Sequence, residues 1–183
     1  MAKREEILDA ALGVIARNGY RGTSVREIAA AVELSQAGLM HHFASKDELF
    51  TEILRRRDEV DEALMPKDLP LGTLDAFPQV IRHNAEIPGL VQLFVSFAAD
   101  AVGPDHYARP FFVQRYAHFR KELAQAIEQG QESGALIESI IPDAAARELL
   151  ALADGLQTQW LLGQDFDMAD IISARIDSWR TGR

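Results

Sequence analysis

Side chains suited to the edges of DNA bases lie close together in one short stretch of this chain. Gln36 can hydrogen-bond a base edge, and Ala37 and Met40 can contact the methyl group of a thymine. His41 and His42 can donate hydrogen bonds to a base or to a phosphate. Because these residues follow one another within about two helical turns, one helix in the major groove can present most of them together.

Two capping signals predict the short helices that hold this stretch. Ser24, with Glu27 three residues later, forms a capping box, so we expect a helix of about two turns to begin there. Ser35 can cap a second helix over residues 36–44. A tight turn that contains Glu33 joins the two helices.

The second of these helices has one face for packing and one face for recognition. Leu39 and Phe43 lie four residues apart and are expected to point inward. Ser45 with Glu48 forms another capping box, which opens a fourth helix. Two short helices joined by a tight turn, with a scaffold helix on each side, are typical of a helix-turn-helix unit whose second short helix enters the major groove.

The periodicity and composition of the whole chain predict an all-α protein. Every strong periodicity is helical, and no stretch alternates apolar and polar residues as a half-buried strand does. The 183 residues include no cysteine, which excludes a disulfide framework, a thiolate zinc site, an iron–sulfur cluster and a cysteine nucleophile. The N-terminus is charged and the apolar runs are too short to span a bilayer, so we expect no membrane segment and a cytoplasmic location.

Charge is unevenly distributed along the chain. The 28 acidic and 19 basic residues give a net charge of −9. Residues 1–57 carry nine basic and eight acidic residues, a net +1, so the remainder carries −10. This division is expected if only the first part approaches a polyanion such as DNA.

Proline and glycine divide the rest of the chain into further helices. Residues 65–72 contain two prolines and one glycine and form the candidate linker. The next helix is expected to start near Asp75, with Pro78 tolerated in its first turn, and to end at Pro88. The other helices are expected at about residues 3–18, 89–102, 105–131, 143–162 and 168–180.

Together these residues resemble the TetR family of transcriptional regulators. The matching positions are Gly19-Tyr20, Thr23-Ser24, Ile28-Ala29, Ser35, Leu39, His42-Phe43 and Ser45-Lys46. The resemblance covers about the first fifty residues. It implies an N-terminal helix-turn-helix DNA-binding domain of three helices over residues 1–48 and a C-terminal helical domain for effector binding and dimerisation over residues 49–183. It further implies a homodimeric repressor that leaves a near-palindromic, double-stranded DNA operator when a small-molecule effector binds.

The resemblance also assigns contacts to the DNA backbone. The family's phosphate contacts fall on Thr23 or Ser24 at one helix N-terminus, on His42, and on Lys46 at another N-terminus, where backbone N–H groups also face an anion. With the recognition face added, the predicted DNA-contacting residues are Thr23, Ser24, Ser35, Gln36, Ala37, Met40, His41, His42 and Lys46.

Two positions depart from the family's pattern. Met40 stands where the family most often has tyrosine, so the family's base preference there does not transfer to this chain. Glu33 stands where glycine is usual in the turn. If that position is left-handed, a non-glycine residue costs about 1–2 kcal/mol, and the alternative is a relaxed turn.

Aromatic and polar residues in the C-terminal part are candidates for an apolar effector pocket with polar anchors. For each of them, ordinary core packing is the alternative interpretation. The candidate pocket residues are His83, Phe94, Phe97, Phe112, Tyr116, Gln157 and Trp160.

The last two predicted helices carry more apolar surface than one small bundle needs. We expect two copies of them to form a four-helix dimer interface, and an intramolecular core is the alternative. A dimer holds two recognition helices about 34–36 Å apart, the spacing of successive major grooves. The candidate interface residues are Leu149, Leu152, Ala153, Leu156, Ile172, Ile176 and Trp179.

No residue pattern in the chain predicts an enzyme, although an enzyme or a ligand-carrying module is the alternative class. The chain has no GxSxG, HExxH, Walker or GxGxxG motif. His41 and His42 point in different directions on a helix, and no ligand partner stands four residues away. We therefore expect no catalytic residue, no metal site and no cofactor.

Overall fold

The computed structural model describes residues 2–63 and 71–182, and over these residues the fold is all-α, as predicted. No strand occurs among them, although one isolated antiparallel bridge joins Leu136 to Arg180. The linker predicted over residues 65–72 lies outside the described residues except at its end. None of the helices in the described ranges is long and apolar enough to cross a membrane. The helices are α1 (Ala2–Gly22), α2 (Val25–Ala31), α3 (Gln36–Met40), α4 (Lys46–Ala63), α5 (Gly72–Ala85), α6 (Pro88–Asp100), α7 (Arg109–Glu132), α8 (Pro142–Leu161) and α9 (Met168–Asp177).

These helices divide between two compact units. The first unit comprises Met1–Ala63 and Ile87–Phe112, and the second comprises Leu64–Glu86 and Val113–Arg183. The first unit therefore holds α1 to α4 together with α6, whereas α5, α8, α9 and most of α7 belong to the second. These units are defined by packing alone, and the domain boundary expected after residue 48 stays a prediction.

α1 supplies much of the apolar centre of the first unit. Its inward face buries Ile7, Ala11 and Ile15, as the helical period predicts. Gly19, the predicted stop, interrupts the helix with a left-handed φ of 71°. α6 packs against α1, and Gly89 permits the approach, because a Cβ there would lie 2.4 Å from the carbonyl oxygen of Ile15.

α2 and α3 begin at the predicted serine caps. The Ser24 hydroxyl accepts a hydrogen bond from the Glu27 N–H at 3.2 Å, and the Glu27 carboxylate accepts one from the Ser24 N–H at 2.7 Å. This reciprocal pair is the complete capping box. The Ser35 hydroxyl accepts from the Gly38 N–H at 3.0 Å and starts α3.

α3 is shorter than the sequence predicts. It ends at Met40, four residues before the expected end at Ala44. Beyond it, the Ala44 N–H donates to the Glu48 carboxylate at 2.6 Å instead of continuing a helical ladder. The second capping box is therefore half formed: the Ser45 hydroxyl accepts from the Glu48 N–H at 3.0 Å, but the Glu48 side chain reaches Ala44 rather than Ser45.

Pro78 lies inside α5 rather than in its first turn. α5 begins at Gly72, before the expected start at Asp75. Because proline has no N–H, the carbonyl of Leu74 loses its helical partner at this point. Pro88, in contrast, stands in the first turn of α6, where a missing N–H costs nothing.

The second unit packs α5, α7, α8 and α9 around one apolar core. Trp179 is among its largest fully buried side chains. α7 ends before Gly134, the predicted stop, which has a left-handed φ of 74°. The segment that follows α7 pairs with the end of the chain, where the Ile137 N–H donates to the Trp179 carbonyl at 2.8 Å. α9 therefore ends at Asp177, earlier than its periodicity predicts.

Candidate functional site

α3 has one buried face and one exposed face, as predicted. Leu39 is fully buried, and Phe43, just beyond the helix, is 1% exposed. Gln36 and Ala37 are exposed in the first turn of α3, and His41 is exposed at its C-cap. A short helix that packs by one face and exposes its first turn is the form that enters the major groove in helix-turn-helix proteins.

The remaining predicted contacts lie at the end of α3 and the start of α4. Met40 and His42 are partly buried. Lys46 is exposed at the first position of α4, and its ammonium lies 5.2 Å from the centre of the Phe50 ring. A cation at the positive end of a helix dipole suits a phosphate oxygen. No three potential metal ligands come together anywhere in the described part of the chain.

The two capping serines are exposed, whereas Thr23 is buried. Ser24 and Ser35 lie on the surface. Hydrogen bonds from the N–H and hydroxyl of Ser24 hold the pKa of Glu27 below its ordinary value. Thr23 is 5% exposed, and its hydroxyl donates to the Gly19 carbonyl at 2.8 Å. Of the pair that the resemblance assigns to phosphate, Ser24 therefore offers the accessible side chain.

Two basic residues at the start of α1 hold the flanks of α3, and sequence reasoning missed both. Arg4 donates at 3.0 Å to Glu48 on α4, and its guanidinium lies 4.8 Å from the centre of the Phe43 ring. Lys3 donates at 3.2 Å to the carbonyl of Val32, at the end of α2. A five-residue helix is not stable by itself, so such contacts must position it. No local signal predicts them, because the partners lie far apart in sequence.

Glu33 adopts a left-handed backbone conformation in the turn before α3. Its φ is 56°, and no other non-glycine residue in the described ranges has a positive φ. The Leu34 N–H closes the turn on the Ala29 carbonyl at 2.9 Å. The turn is therefore not relaxed, and the glutamate carries the cost of about 1–2 kcal/mol that such a conformation imposes.

A cavity of about 360 Å³ lies between α7 and α8 in the second unit. This α7–α8 cavity is lined partly by Val113 and Leu150, and by Tyr116 and Asp154. The Tyr116 hydroxyl donates to the Asp154 carboxylate at 2.6 Å. Burial raises the pKa of Asp154, and the hydrogen bond from Tyr116 opposes that rise. Burial, together with the charge of Asp154, raises the pKa of Tyr116.

Three of the predicted effector-pocket residues lie in the first unit. Phe94, Phe97 and Phe112 are all buried there. The rings of Phe94 and Phe112 lie 5.6 Å apart, and Phe97 meets the Phe50 ring edge-on at 5.7 Å. The structure therefore shows these three rings in aromatic packing, and their contact with an effector stays a prediction.

The other four predicted pocket residues lie in the second unit. Tyr116 lines the α7–α8 cavity, and His83 lies 3.3 Å from the Glu86 carboxylate. Trp160 is partly buried against the core. Gln157 is 5% exposed, and its side-chain oxygen has no hydrogen-bond partner within the described residues. A buried acceptor without a partner costs about 1–3 kcal/mol, so Gln157 is an unusual core residue.

Most residues predicted for the dimer interface fill the second unit's own core. The helical period explains this, because the large apolar side chains of α8 and α9 form the inner face of the bundle. Leu152 is partly exposed and packs against the edge of the core. The other six are buried in the core of the chain itself, the position that the intramolecular alternative gives them. They are Leu149, Ala153, Leu156, Ile172, Ile176 and Trp179.

Comparison with known proteins identifies the family. Residues 7–53 match the model for bacterial regulatory proteins of the tetR family, and residues 76–178 match the model for the C-terminal part of BetI-type transcriptional repressors. KstR2, a transcriptional repressor of Mycobacterium tuberculosis, is 34% identical over 143 residues, which cover 73% of this chain and 68% of KstR2. PksA, a transcriptional regulator of Bacillus subtilis, is 27% identical over 169 residues, which cover 87% of this chain and 79% of PksA.

Solved structures share the whole fold. A TetR-family regulator from Rhodococcus sp. is 25% identical, with a TM-score of 0.78, over 99% of this chain and 100% of that one. AibR, solved with isovaleryl coenzyme A and operator DNA, is 23% identical, with a TM-score of 0.65, over 98% of this chain and 99% of AibR. From the two family models and the KstR2 match, this chain belongs to the TetR family of bacterial regulatory proteins and is a transcriptional regulator rather than an enzyme.

Proposed function

We propose that this chain is a homodimeric repressor that binds a near-palindromic DNA operator and leaves it when a small molecule binds to the second unit. The form of α3 carries the proposal: Leu39 packs the helix onto its scaffold, while Gln36 and Ala37 face solvent in its first turn. Such a helix can read base edges only when a duplex approaches from that exposed side.

In this proposal α3 reads bases and its flanks contact phosphates. Gln36 pairs with a base edge, and Ala37 contacts a thymine methyl. Ser24 and Lys46 face phosphates at the N-termini of α2 and α4. Thr23 contributes to this surface through its buried bond to the Gly19 carbonyl, which holds the entry to α2.

The named relatives support repression and control by a ligand. KstR2 is named a transcriptional repressor, and AibR was solved with both isovaleryl coenzyme A and operator DNA. We extend these properties to the present chain as repression, operator binding and effector control. A protein that acts on chromosomal DNA in this way works in the cytoplasm.

The proposed dimer uses the outward faces of α8 and α9. Gly155 permits close approach of a partner helix, and Leu162 is 78% exposed at the end of α8. Ile171 on α9 is 39% exposed, and Leu152 lies at the edge of the same surface. The six core residues of these helices support this surface from within the bundle. Such a dimer is needed to hold two copies of α3 about 34–36 Å apart.

Release from the operator needs two arrangements of the dimer. In one, the two α3 helices have the spacing of successive major grooves, and the effector binds the other arrangement more tightly. The ligand shifts the equilibrium only by its differential affinity for the two states. The α7–α8 cavity, which Tyr116 lines, is the proposed effector site.

Salt-dependent binding to DNA tests the proposed interface. Lys46→Ala is expected to weaken binding to every sequence about equally and to reduce the slope of log K against log salt by about one per protomer. Lys121→Ala is the matched control, because Lys121 is exposed on α7 in the second unit. If Lys46→Ala changes neither affinity nor slope, or if both variants behave alike, the proposed docking is wrong.

A further inference from the structure

Asp154 is a partly buried carboxylate whose one side-chain hydrogen bond comes from a neutral group, although the charge of Arg115 also acts on it. It lines the α7–α8 cavity, and it accepts one side-chain hydrogen bond, from the Tyr116 hydroxyl at 2.6 Å. Within residues 2–63 and 71–182 it forms no salt bridge. Asp61, which is buried, lies 3.6 Å from the Arg57 guanidinium instead. Because a phenol is a neutral donor and the charge of Arg115 acts without a direct ion pair, part of the negative charge of Asp154 remains available to a ligand in the cavity.

The walls beside Asp154 suit the aliphatic body of a small molecule. Leu150 and Ala151 lie on the same helix as Asp154, and Val113 and Ala117 face them from α7. Val113 is 60% exposed, which is unusual for a valine and leaves apolar surface for a ligand to cover. The volume of about 360 Å³ lies within the range of small-molecule sites.

The two arginines that line the cavity stand away from Asp154, whereas Arg115, outside the lining, acts on it through its charge. Arg147 precedes Asp154 by seven residues on α8, which is about 10 Å along the helix axis. Arg120 and Arg147 both face the Asp143 carboxylate, at 2.9 and 3.8 Å. That carboxylate offsets part of their charge. A cation bound at Asp154 would lie about two turns of α8 from the position of Arg147, whereas Arg120 follows Tyr116 by about one turn of α7.

We propose that the α7–α8 cavity binds a small molecule whose protonated amine pairs with Asp154 and whose aliphatic body lies along Leu150 and Ala151. The inference rests on the proposed function, in which this molecule is the effector. The ammonium donates a charge-assisted hydrogen bond to the carboxylate, while the Tyr116 hydroxyl keeps its own bond to Oδ2 of the same group. The partly buried charge then gains a direct ionic partner.

Direct binding to the DNA-free, full-length protein tests the site. The probe is n-hexylammonium, and hexan-1-ol and hexanoate are controls of the same chain length. Calorimetric titration is expected to show saturable binding of the amine and at least tenfold weaker binding of both controls. Asp154→Asn keeps the shape of the side chain and an acceptor for Tyr116, and it is expected to weaken amine binding at least tenfold. Asp154→Glu keeps the charge and is expected to retain binding.

Three results would overturn the proposal. They are the absence of saturable amine binding, equal amine binding by wild type and Asp154→Asn, and tighter binding of hexanoate than of the amine. Sedimentation of the same proteins provides a fourth, because a changed oligomeric state in Asp154→Asn would assign the cavity to contact between two copies. Operator binding of the wild-type protein without probe is measured separately. Failure of the ligand proposal is thereby distinguished from failure of DNA recognition.

Discussion

The guanidinium of Arg4, near the start of α1, donates a 3.0 Å hydrogen bond to Glu48 in the first turn of α4. The other carboxylate oxygen of Glu48 accepts the N–H of Ala44 at 2.6 Å, in the segment that follows α3. A second bond joins Arg4 to Glu52, also at 3.0 Å. The start of α1 therefore fixes the exit of the chain from the proposed recognition helix.

Removing the Arg4 guanidinium is expected to misplace α3 without removing a phosphate contact. Arg4→Met keeps apolar contact with Phe43 but loses both carboxylate partners. Because the pairs are partly exposed, we expect the free energy of unfolding to fall by only about 1 kcal/mol. Operator affinity should fall about five- to tenfold, while the slope of log K against log salt stays at the wild-type value.

Arg17→Met is the control for this prediction, since Arg17 is an exposed arginine on the same helix. It should leave stability and affinity near wild type. A reduced salt slope in Arg4→Met would show that Arg4 contacts phosphate directly. That result would contradict a positioning role.

Glu33→Gly is expected to stabilise the turn before α3. Glycine adopts a φ of 56° without the clash that the glutamate Cβ creates. Part of the gain is offset because glycine also loosens the unfolded chain. Glu33→Ala retains the strain, so urea denaturation should find the glycine variant more stable than the alanine variant by about 1 kcal/mol. Equal stability of the two would mean that the turn relaxes at no cost.

Gly89→Ala is expected to push α6 away from α1. The added methyl group would lie 2.4 Å from the Ile15 carbonyl oxygen, and backbone cannot yield as a flexible side chain does. Overpacking of this kind costs about 1–3 kcal/mol. In Gly13→Ala the new Cβ would meet only the end of the Arg17 side chain, at 3.4 Å, so thermal denaturation should show a gain of up to about 1 kcal/mol. Similar losses in both variants would contradict the packing described for Gly89.

The stability of Asp154→Asn should depend on pH. Burial raises the pKa of Asp154 in the folded state above its unfolded value. The contribution of Asp154 to the free energy of unfolding is therefore fully present below the unfolded pKa and is lost as pH rises through the folded pKa. At pH 7 the variant avoids the cost of a partly buried charge and should melt at a higher temperature than wild type. The difference should shrink as pH falls towards 3.

Glu27→Gln provides the comparison of opposite sign for that experiment. Hydrogen bonds from Ser24 lower the pKa of Glu27 in the folded state. The contribution of Glu27 to the free energy of unfolding is therefore present above the unfolded pKa and is lost as pH falls through the folded pKa. The glutamine variant should be less stable than wild type at pH 7 and should approach it in acid. Parallel pH profiles for the two variants would contradict the assigned pKa directions.

Local sequence signals were sufficient for the elements that carry the recognition face. The box of Ser24 and Glu27 and the cap at Ser35 depend on residues three apart, and the structure confirms both. The inward positions of Leu39 and Phe43 follow from the helical period and are also confirmed. These interactions are short-range, so the printed order of residues is enough to predict them.

Contacts between distant segments could not be predicted in the same way. The bond from Tyr116 to Asp154 spans 38 residues, and the bond from Arg4 to Glu48 spans 44. An apolar stripe also cannot show whether it faces its own bundle or a second copy. The apolar pattern therefore predicts Leu149 and Ile172 at an interface, whereas both are buried in the core of the single chain, and their part in a dimer interface stays a prediction.

We propose that the exposed first turn of α3 reads a symmetric operator. Selection of DNA from a random pool with the purified protein tests this role most directly. Wild type is expected to enrich one motif with two-fold symmetry and half-sites about 10 base pairs apart, or a multiple of that spacing. Gln36→Ala should relax the base preference at one symmetric pair of positions and leave the rest of the motif intact. Enrichment of no motif, or of an asymmetric motif that Gln36→Ala leaves unchanged, would contradict the proposal.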